Sequence, residues 1–185
     1  SGAGKSVLLD AIAARVPRAV RLQPQRLGRA RRPAVDLLAG PLRERLEILS
    51  RCGLAEATAL VCAACRLSGG QRYRLALAVA LDAARRRGAP TVVLADEFAA
   101  TLDETTAEVL CAQVRRLVRG SPLSLVVASA RTTGGWLEAL APDRVVVKPL
   151  GEPAQVLDGW GAEDVGGVGA AARLAAAPVE RGSLA

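Results

Sequence analysis

Thr91-Val92-Val93-Leu94-Ala95-Asp96-Glu97 is an apolar, β-branched run that ends in two adjacent carboxylates. Such a run reads as a strand buried in a parallel sheet, with acids delivered at its C-terminal edge. Asp96 would hold Mg²⁺, and Glu97 would orient and deprotonate an attacking water. A core strand that merely ends in solvated acids is the plainer reading of these seven residues alone. Upstream stands Leu67-Ser68-Gly69-Gly70-Gln71, followed by Arg72–Arg87 with apolar positions at Leu75, Val79 and Leu81. That spacing suits a helix. Ser68 occupies the N-cap position, and the two glycines leave the helix N-terminus open to an anion.

The chain opens with Ser1-Gly2-Ala3-Gly4-Lys5-Ser6, the last six positions of G-x-x-x-x-G-K-[ST]. Small residues there let backbone N–H groups approach phosphate oxygens, and the helix that follows points its positive end at them. Lys5 would reach the β- and γ-phosphates, and the Ser6 hydroxyl would ligate Mg²⁺. A Gly/Ala-rich turn before a helix is the bland alternative. Against it, only Lys5 and Lys148 among the 25 basic residues are lysine. Lysine is the compact point charge that phosphate loops use. The first glycine of the motif would precede Ser1, and the sequence contains no methionine. The expectation is a piece of a longer protein, cut within its phosphate loop and lacking the first strand of its sheet. On that expectation residues 1–185 alone bind ATP weakly or not at all.

In order, these motifs resemble Walker A, the LSGGQ signature and Walker B of the ATP-binding cassette (ABC) ATPases. The resemblance covers about residues 1–150. Ala100-Thr101-Leu102-Asp103 falls where that family places its D-loop, six residues from Glu97 to Asp103. It implies an α/β fold of the P-loop NTPase (RecA-like) kind, with a helical signature subdomain at about 34–87. It implies MgATP binding and hydrolysis. Ser1, Gly2, Ala3, Gly4 and Lys5 would hold phosphates, Ser6 and Asp96 would manage Mg²⁺, and Glu97 would activate water. It also implies a head-to-tail homo- or hetero-dimer of ABC domains. Ser68, Gly69, Gly70 and Gln71 of one subunit would close over ATP held by the other, and Asp103 would communicate between them. The closure would work on a membrane permease or a fused effector domain, from the cytoplasm or from the inner face of the membrane.

The sequence departs from the family in two places. It contains no histidine, and the family's switch histidine position falls at Ala130. Ser129 or Arg131 are the substitutes on offer, with Arg131 read as an ordinary solvated loop residue. Slow turnover is therefore expected, and a nucleotide-binding regulatory or structural module is the alternative. The interval from Lys5 to Ser68 is 63 residues, short for a family member that energises transport. Gln23 and Gln25 are the only glutamines available for the Q-loop. Gln25, after a short strand at Ala19–Leu22, is the choice as a third metal-site residue. The short interval and absent histidine favour a soluble ABC protein slightly, while family frequency favours a transporter subunit.

At 185 residues and 51% apolar content, the chain suits one domain with a sizeable core. Only four aromatics are present, so a core of Leu, Val and Ala is expected. Helices are expected at Ser6–Val16, at Pro41–Arg51 with Leu42, Leu46 and Leu49 on one face, at Asp103–Val118, and near Trp136–Leu140. Strands are expected at Leu123–Ala128 and Arg144–Val147, completing a parallel sheet. From Gly151 the pattern fails, and 151–185 reads as a mostly disordered tail. No apolar run is long enough to span a bilayer. The net charge of +7 gathers near Arg15–Arg32. Without interleaved aromatics it reads as a solvated surface, and nucleic acid is not a favoured partner. Cys62 and Cys65 form a lone C-x-x-C, and free thiols are expected throughout.

Overall fold

The computed structural model describes residues 4–87, 90–119, 121–131, 134–147 and 153–158. Helix α1 (Lys5–Arg15) leads into β1 (Val20–Arg21) and the short α2 (Pro24–Leu27). A helical region follows, with α3 (Leu42–Arg51), α4 (Ala57–Val61) and α5 (Gly69–Arg86), and with 3₁₀ turns at Ala34–Leu37 and Ala64–Arg66. The chain then runs through β2 (Thr91–Ala95), α6 (Glu104–Arg119), β3 (Leu123–Val127), α7 (Trp136–Leu140), β4 (Arg144–Val147) and β5 (Gln155–Asp158).

Strands β1, β2 and β3 form one parallel sheet with β2 in the middle. Val20 pairs with Val93, Thr91 with Leu123 and Ala95 with Val127. A parallel pair needs a long crossover, and α6 supplies it between β2 and β3. The middle strand is the buried one: Val93, Leu94 and Ala95 are fully covered. The expected α/β architecture with a parallel sheet is what the chain adopts.

Strand β4 is a correction. It pairs antiparallel with β5, Arg144 facing Asp158 and Val147 facing Gln155, in a separate two-stranded sheet. Its residues alternate between exposed and half-buried, a pattern that suits an antiparallel ribbon and not a parallel core strand. Regular structure therefore continues beyond 151, at Gln155–Asp158. The rest of the expected tail, 151–152 and 159–185, lies outside the described residues.

The helical region is tied down by local chemistry. Helix α3 ends in a Schellman motif: Leu54 N donates to Leu49 O at 2.8 Å and Gly53 N to Ser50 O at 2.9 Å. Gly53 has φ +81°, the left-handed value this cap requires. The buried side of α3 is Ile48 and Leu49, while Leu42 and Leu46 are exposed. The helix thus packs by its last turn, not along the expected Leu42/Leu46/Leu49 stripe. Arg74 Nη1 donates to Gly53 O at 2.7 Å, tying this corner to α5. Asp82, buried in α5, accepts from Ala39 N at 2.9 Å and Arg86 Nε at 3.0 Å, so its carboxylate is satisfied.

One apolar cluster joins the helical region to the sheet. It holds Ile48 and Leu49 of α3, Leu75, Leu77 and Leu81 of α5, Val93 of β2 and Val114 of α6. Three of the four aromatics, Tyr73, Phe98 and Trp136, also belong to it. The expected core of Leu, Val and Ala is corrected to that extent. In α1 only Leu9 is buried, and Val7 and Leu8 face outward.

Candidate functional site

The C-terminal edge of β2 meets the start of α1. Gly4 is the N-cap of α1 with φ +76°, a conformation that a side chain would strain. Lys5 is the first residue of the helix. One residue on, Ser6 Oγ donates to Asp96 Oδ2 at 2.6 Å, across 90 positions of sequence. The other carboxylate oxygen, Oδ1, accepts from Glu97 N at 2.9 Å. Both oxygens of Asp96 are thereby aimed. A serine hydroxyl beside a carboxylate is a hard-oxygen donor set. Mg²⁺ takes such a set when it keeps one or two protein ligands and completes its shell with phosphate and water. Among the described residues no group of three or more His, Cys, Asp and Glu gathers as a metal site. Ser1, Gly2 and Ala3 lie outside the described residues.

The segment after β2 is a turn pinned from beneath. Phe98 N donates to Ala128 O at 2.8 Å, and Ala128 N to Ala95 O at 2.9 Å. Phe98 is fully buried. Tyr73, from α5, meets its ring edge-on at 6.5 Å between centroids. The Tyr73 hydroxyl donates to Asp96 O at 3.3 Å. Burial, reinforced by the Asp96 charge, pushes the Tyr73 phenol well above its ordinary pKa. The phenol therefore stays protonated as a donor. Glu97 and Ala99 take left-handed backbone, with φ 50° and 55°. Each such residue costs on the order of 1–3 kcal/mol. The turn buries Phe98 and Ala99 and leaves the Glu97 side chain exposed.

Asp103 caps α6. Its Oδ1 accepts from Thr106 N at 2.9 Å, and Ala107 N donates to its carbonyl at 2.9 Å. Hydrogen bonds from the Thr106 side chain and backbone hold its carboxyl below the ordinary range, and the Arg131 charge adds to this. Arg131 is not the solvated residue expected. It is half-buried, and its Nη1 donates to Ala99 O at 3.0 Å and to Leu102 O at 2.7 Å. Ser129 Oγ accepts from Arg131 N at 3.1 Å, and Ala130 is exposed.

The signature segment forms a complete capping box. Ser68 Oγ accepts from Gln71 N at 3.2 Å, and Gln71 Oε1 accepts from Ser68 N at 3.0 Å. Gln71 Nε2 also lies 3.5 Å from Glu56 Oε2. A methyl at Gly69 would meet nothing within 4 Å, and one at Gly70 would reach only Leu102 Cδ2 at 3.7 Å. The chain's own packing does not demand glycine at either position. Among the described residues no hydrogen bond joins Ser68, Gly69, Gly70 or Gln71 to Gly4, Lys5 or Ser6. Gln25 sits exposed on α2. Continuing the β1–β2 register by two residues sets Gln23, not Gln25, level with Asp96.

Among known proteins, the chain is 34% identical over 122 residues to the phosphonates import ATP-binding protein PhnC of Hyphomonas neptunium, covering 66% of this chain and 41% of that one. It is 35% identical over 145 residues to PhnC 2 of Roseobacter denitrificans, covering 75% and 49%. It is 41% identical over 100 residues to the lipoprotein-releasing system ATP-binding protein LolD of Novosphingobium aromaticivorans, covering 54% and 40%. The chain belongs to the ABC ATPases. It spans about half the length, or less, of these curated relatives. No family model matches it. Among solved structures, the ADP conformation of MJ1267, an ATP-binding cassette of an ABC transporter, superposes with a TM-score of 0.52 at 17% identity. That match covers 77% of this chain and 60% of MJ1267, and it supports the fold.

Sequence reasoning missed Tyr73, Phe98 and the clamp made by Arg131. A signal existed for the first two. They are the single tyrosine and single phenylalanine of the chain, and one directly follows the Asp96-Glu97 pair.

Proposed function

We propose that this ABC domain binds MgATP and hydrolyses it. The observation that carries the reading is the 2.6 Å contact between Ser6 and Asp96, with Glu97 standing free beside it. It joins the phosphate loop to the acidic edge of the sheet at one point. Lys5 and the loop amides hold the phosphates, and Ser6 and Asp96 hold the metal. Magnesium, when bound, neutralises phosphate charge and fixes its geometry. Glu97 accepts a proton from water as the water oxygen bonds to the γ-phosphorus and ADP leaves. Asp96 and the buried turn fix the backbone from which that carboxylate projects.

Ser68, Gly69, Gly70 and Gln71 serve the ATP of a second ABC domain in a head-to-tail dimer. Two observations support this assignment. Among the described residues no hydrogen bond joins them to Gly4, Lys5 or Ser6 of their own chain, and Gly69 leaves open space where a phosphate oxygen could approach. The names of the relatives favour an ATP-binding subunit of a membrane transport system, docked at the inner face of the membrane on a permease. No helix among the described residues is long and apolar enough to cross a membrane. The second reading, a nucleotide-binding module with little turnover, is favoured by the exposed methyl at Ala130. Gln23 is the better-placed Q-loop glutamine, replacing Gln25.

The deciding experiment is Mg²⁺-dependent ATP hydrolysis by the full-length protein beside Glu97→Gln, with ATP binding measured on both. Turnover that disappears in Glu97→Gln with binding retained supports the ATPase. Equal turnover in both sinks the role of Glu97. Binding without turnover in either leaves the module.

A further inference from the structure

The turn from Glu97 to Asp103 has few bonds of its own. Ala100 N donates to Glu97 O at 3.1 Å and Leu102 N to Ala99 O at 3.3 Å. It nevertheless holds two non-glycine residues at positive φ, so something outside it must fix its shape. From the loop after β3, one nitrogen of Arg131 donates to the carbonyls of both Ala99 and Leu102. A permanent cation makes such bonds roughly twice as strong as neutral ones. The arginine is itself set by its backbone bond to Ser129 Oγ. Its charge is also felt by Asp103 and by the buried Cys111. The guanidinium thus holds the turn at two of its carbonyls, three residues apart.

Resting on the ATPase reading above, we propose that Arg131 is a positioning residue for hydrolysis: it ties the loop after β3 to the turn that carries Glu97 and Asp103. Ala130, next to it, has no side-chain hydrogen-bonding group with which to steady the reaction. Arg131 acts instead through the backbone of the turn, and holds Glu97 at one end and the cap of α6 at the other. In this role it works through Nη1, whose two N–H groups are spent on the two carbonyls.

The test compares the full-length wild type with Arg131→Ala and Arg131→Lys. Amide hydrogen exchange without nucleotide reads the tether. In Arg131→Ala, exchange over 98–103 quickens about tenfold or more, while α5 is unchanged. Arg131→Lys falls between the two, since its ammonium ends about one bond short of Nη1. Steady-state kinetics read the catalytic consequence: kcat falls about tenfold with KM for ATP nearly constant, the split expected when positioning in the transition state is lost. Unchanged exchange in Arg131→Ala overturns the tether. Faster exchange with an unchanged kcat overturns the positioning role. If Arg131→Ala does not fold, Arg131→Lys carries both readouts. A wild type without turnover sinks the ATPase reading and the catalytic consequence together, while the exchange comparison still decides whether the tether exists.

Discussion

Tyr73 reaches out of α5 to Asp96 O at 3.3 Å while its ring packs on Phe98. Tyr73→Phe removes the hydroxyl and keeps the packing, so it should destabilise by only about 0.5–1.5 kcal/mol. Phe98→Ala empties a fully buried site and should cost roughly 3–5 kcal/mol. Urea unfolding separates the two, and similar losses would mean that the ring and the hydroxyl are misassigned. Asp103 gives a pH signature. Its folded pKa lies below the ordinary 3.8. A depressed carboxyl contributes stability that is complete above the unfolded value and is lost as pH falls through the folded one. Asparagine caps a helix as well as aspartate does. Asp103→Asn should therefore leave neutral stability nearly unchanged and remove part of the acid limb of the stability profile. An acid limb identical to wild type would show that the cap is not ionised in the fold. At this scale the carboxylates and the Lys5–Ser6 pair were legible because their chemistry sits in short contiguous motifs. Arg131 was not, because its partners are backbone carbonyls some 30 residues upstream, and no side-chain pattern announces a carbonyl.

The first turn of helix α5 combines a capping box with two glycines that its own packing does not require. The capping box belongs to folding: Ser68→Ala removes an acceptor for Gln71 N and should cost ~1 kcal/mol. Gly69 has open space around it, so Gly69→Ala should fold at least as well as wild type, with a gain of up to about 1 kcal/mol in helix propensity. If the signature serves a neighbouring domain's ATP, the same variant should lose turnover. Thermal melting together with hydrolysis checks this, and Gly69→Ala with both unchanged would sink the trans role. Periodicity placed α5, α6 and β2 because each is long or strongly apolar. It misplaced β4, whose four residues read alike for either sheet type until a partner strand is known. It also misread α3, since a leucine stripe marks an amphipathic helix without saying which turn meets the core. In α3 the Schellman turn and the Arg74–Gly53 bond draw only the last turn inward.

At the scale of the whole molecule, the helical region and the sheet share one apolar cluster. A shared core predicts a single cooperative unfolding unit, even though α3 and α7 lie far apart in the sequence. Leu49 in α3 is fully buried, and Trp136 in α7 is buried within the same cluster. Leu49→Ala should cost roughly 2–5 kcal/mol. The loss should appear at Trp136, with which no direct contact is needed. In a Trp160→Phe background, Trp136 fluorescence and far-ultraviolet dichroism should trace one urea transition, and Leu49→Ala should move both by the same amount. A Trp136 transition that stays in place while the dichroism shifts would divide the chain into two folding units. Signature and phosphate site would then be carried by bodies that unfold separately. Coincident shifts would mean that the helical region carrying the signature and the sheet edge carrying Asp96 and Glu97 unfold as one unit through their shared core.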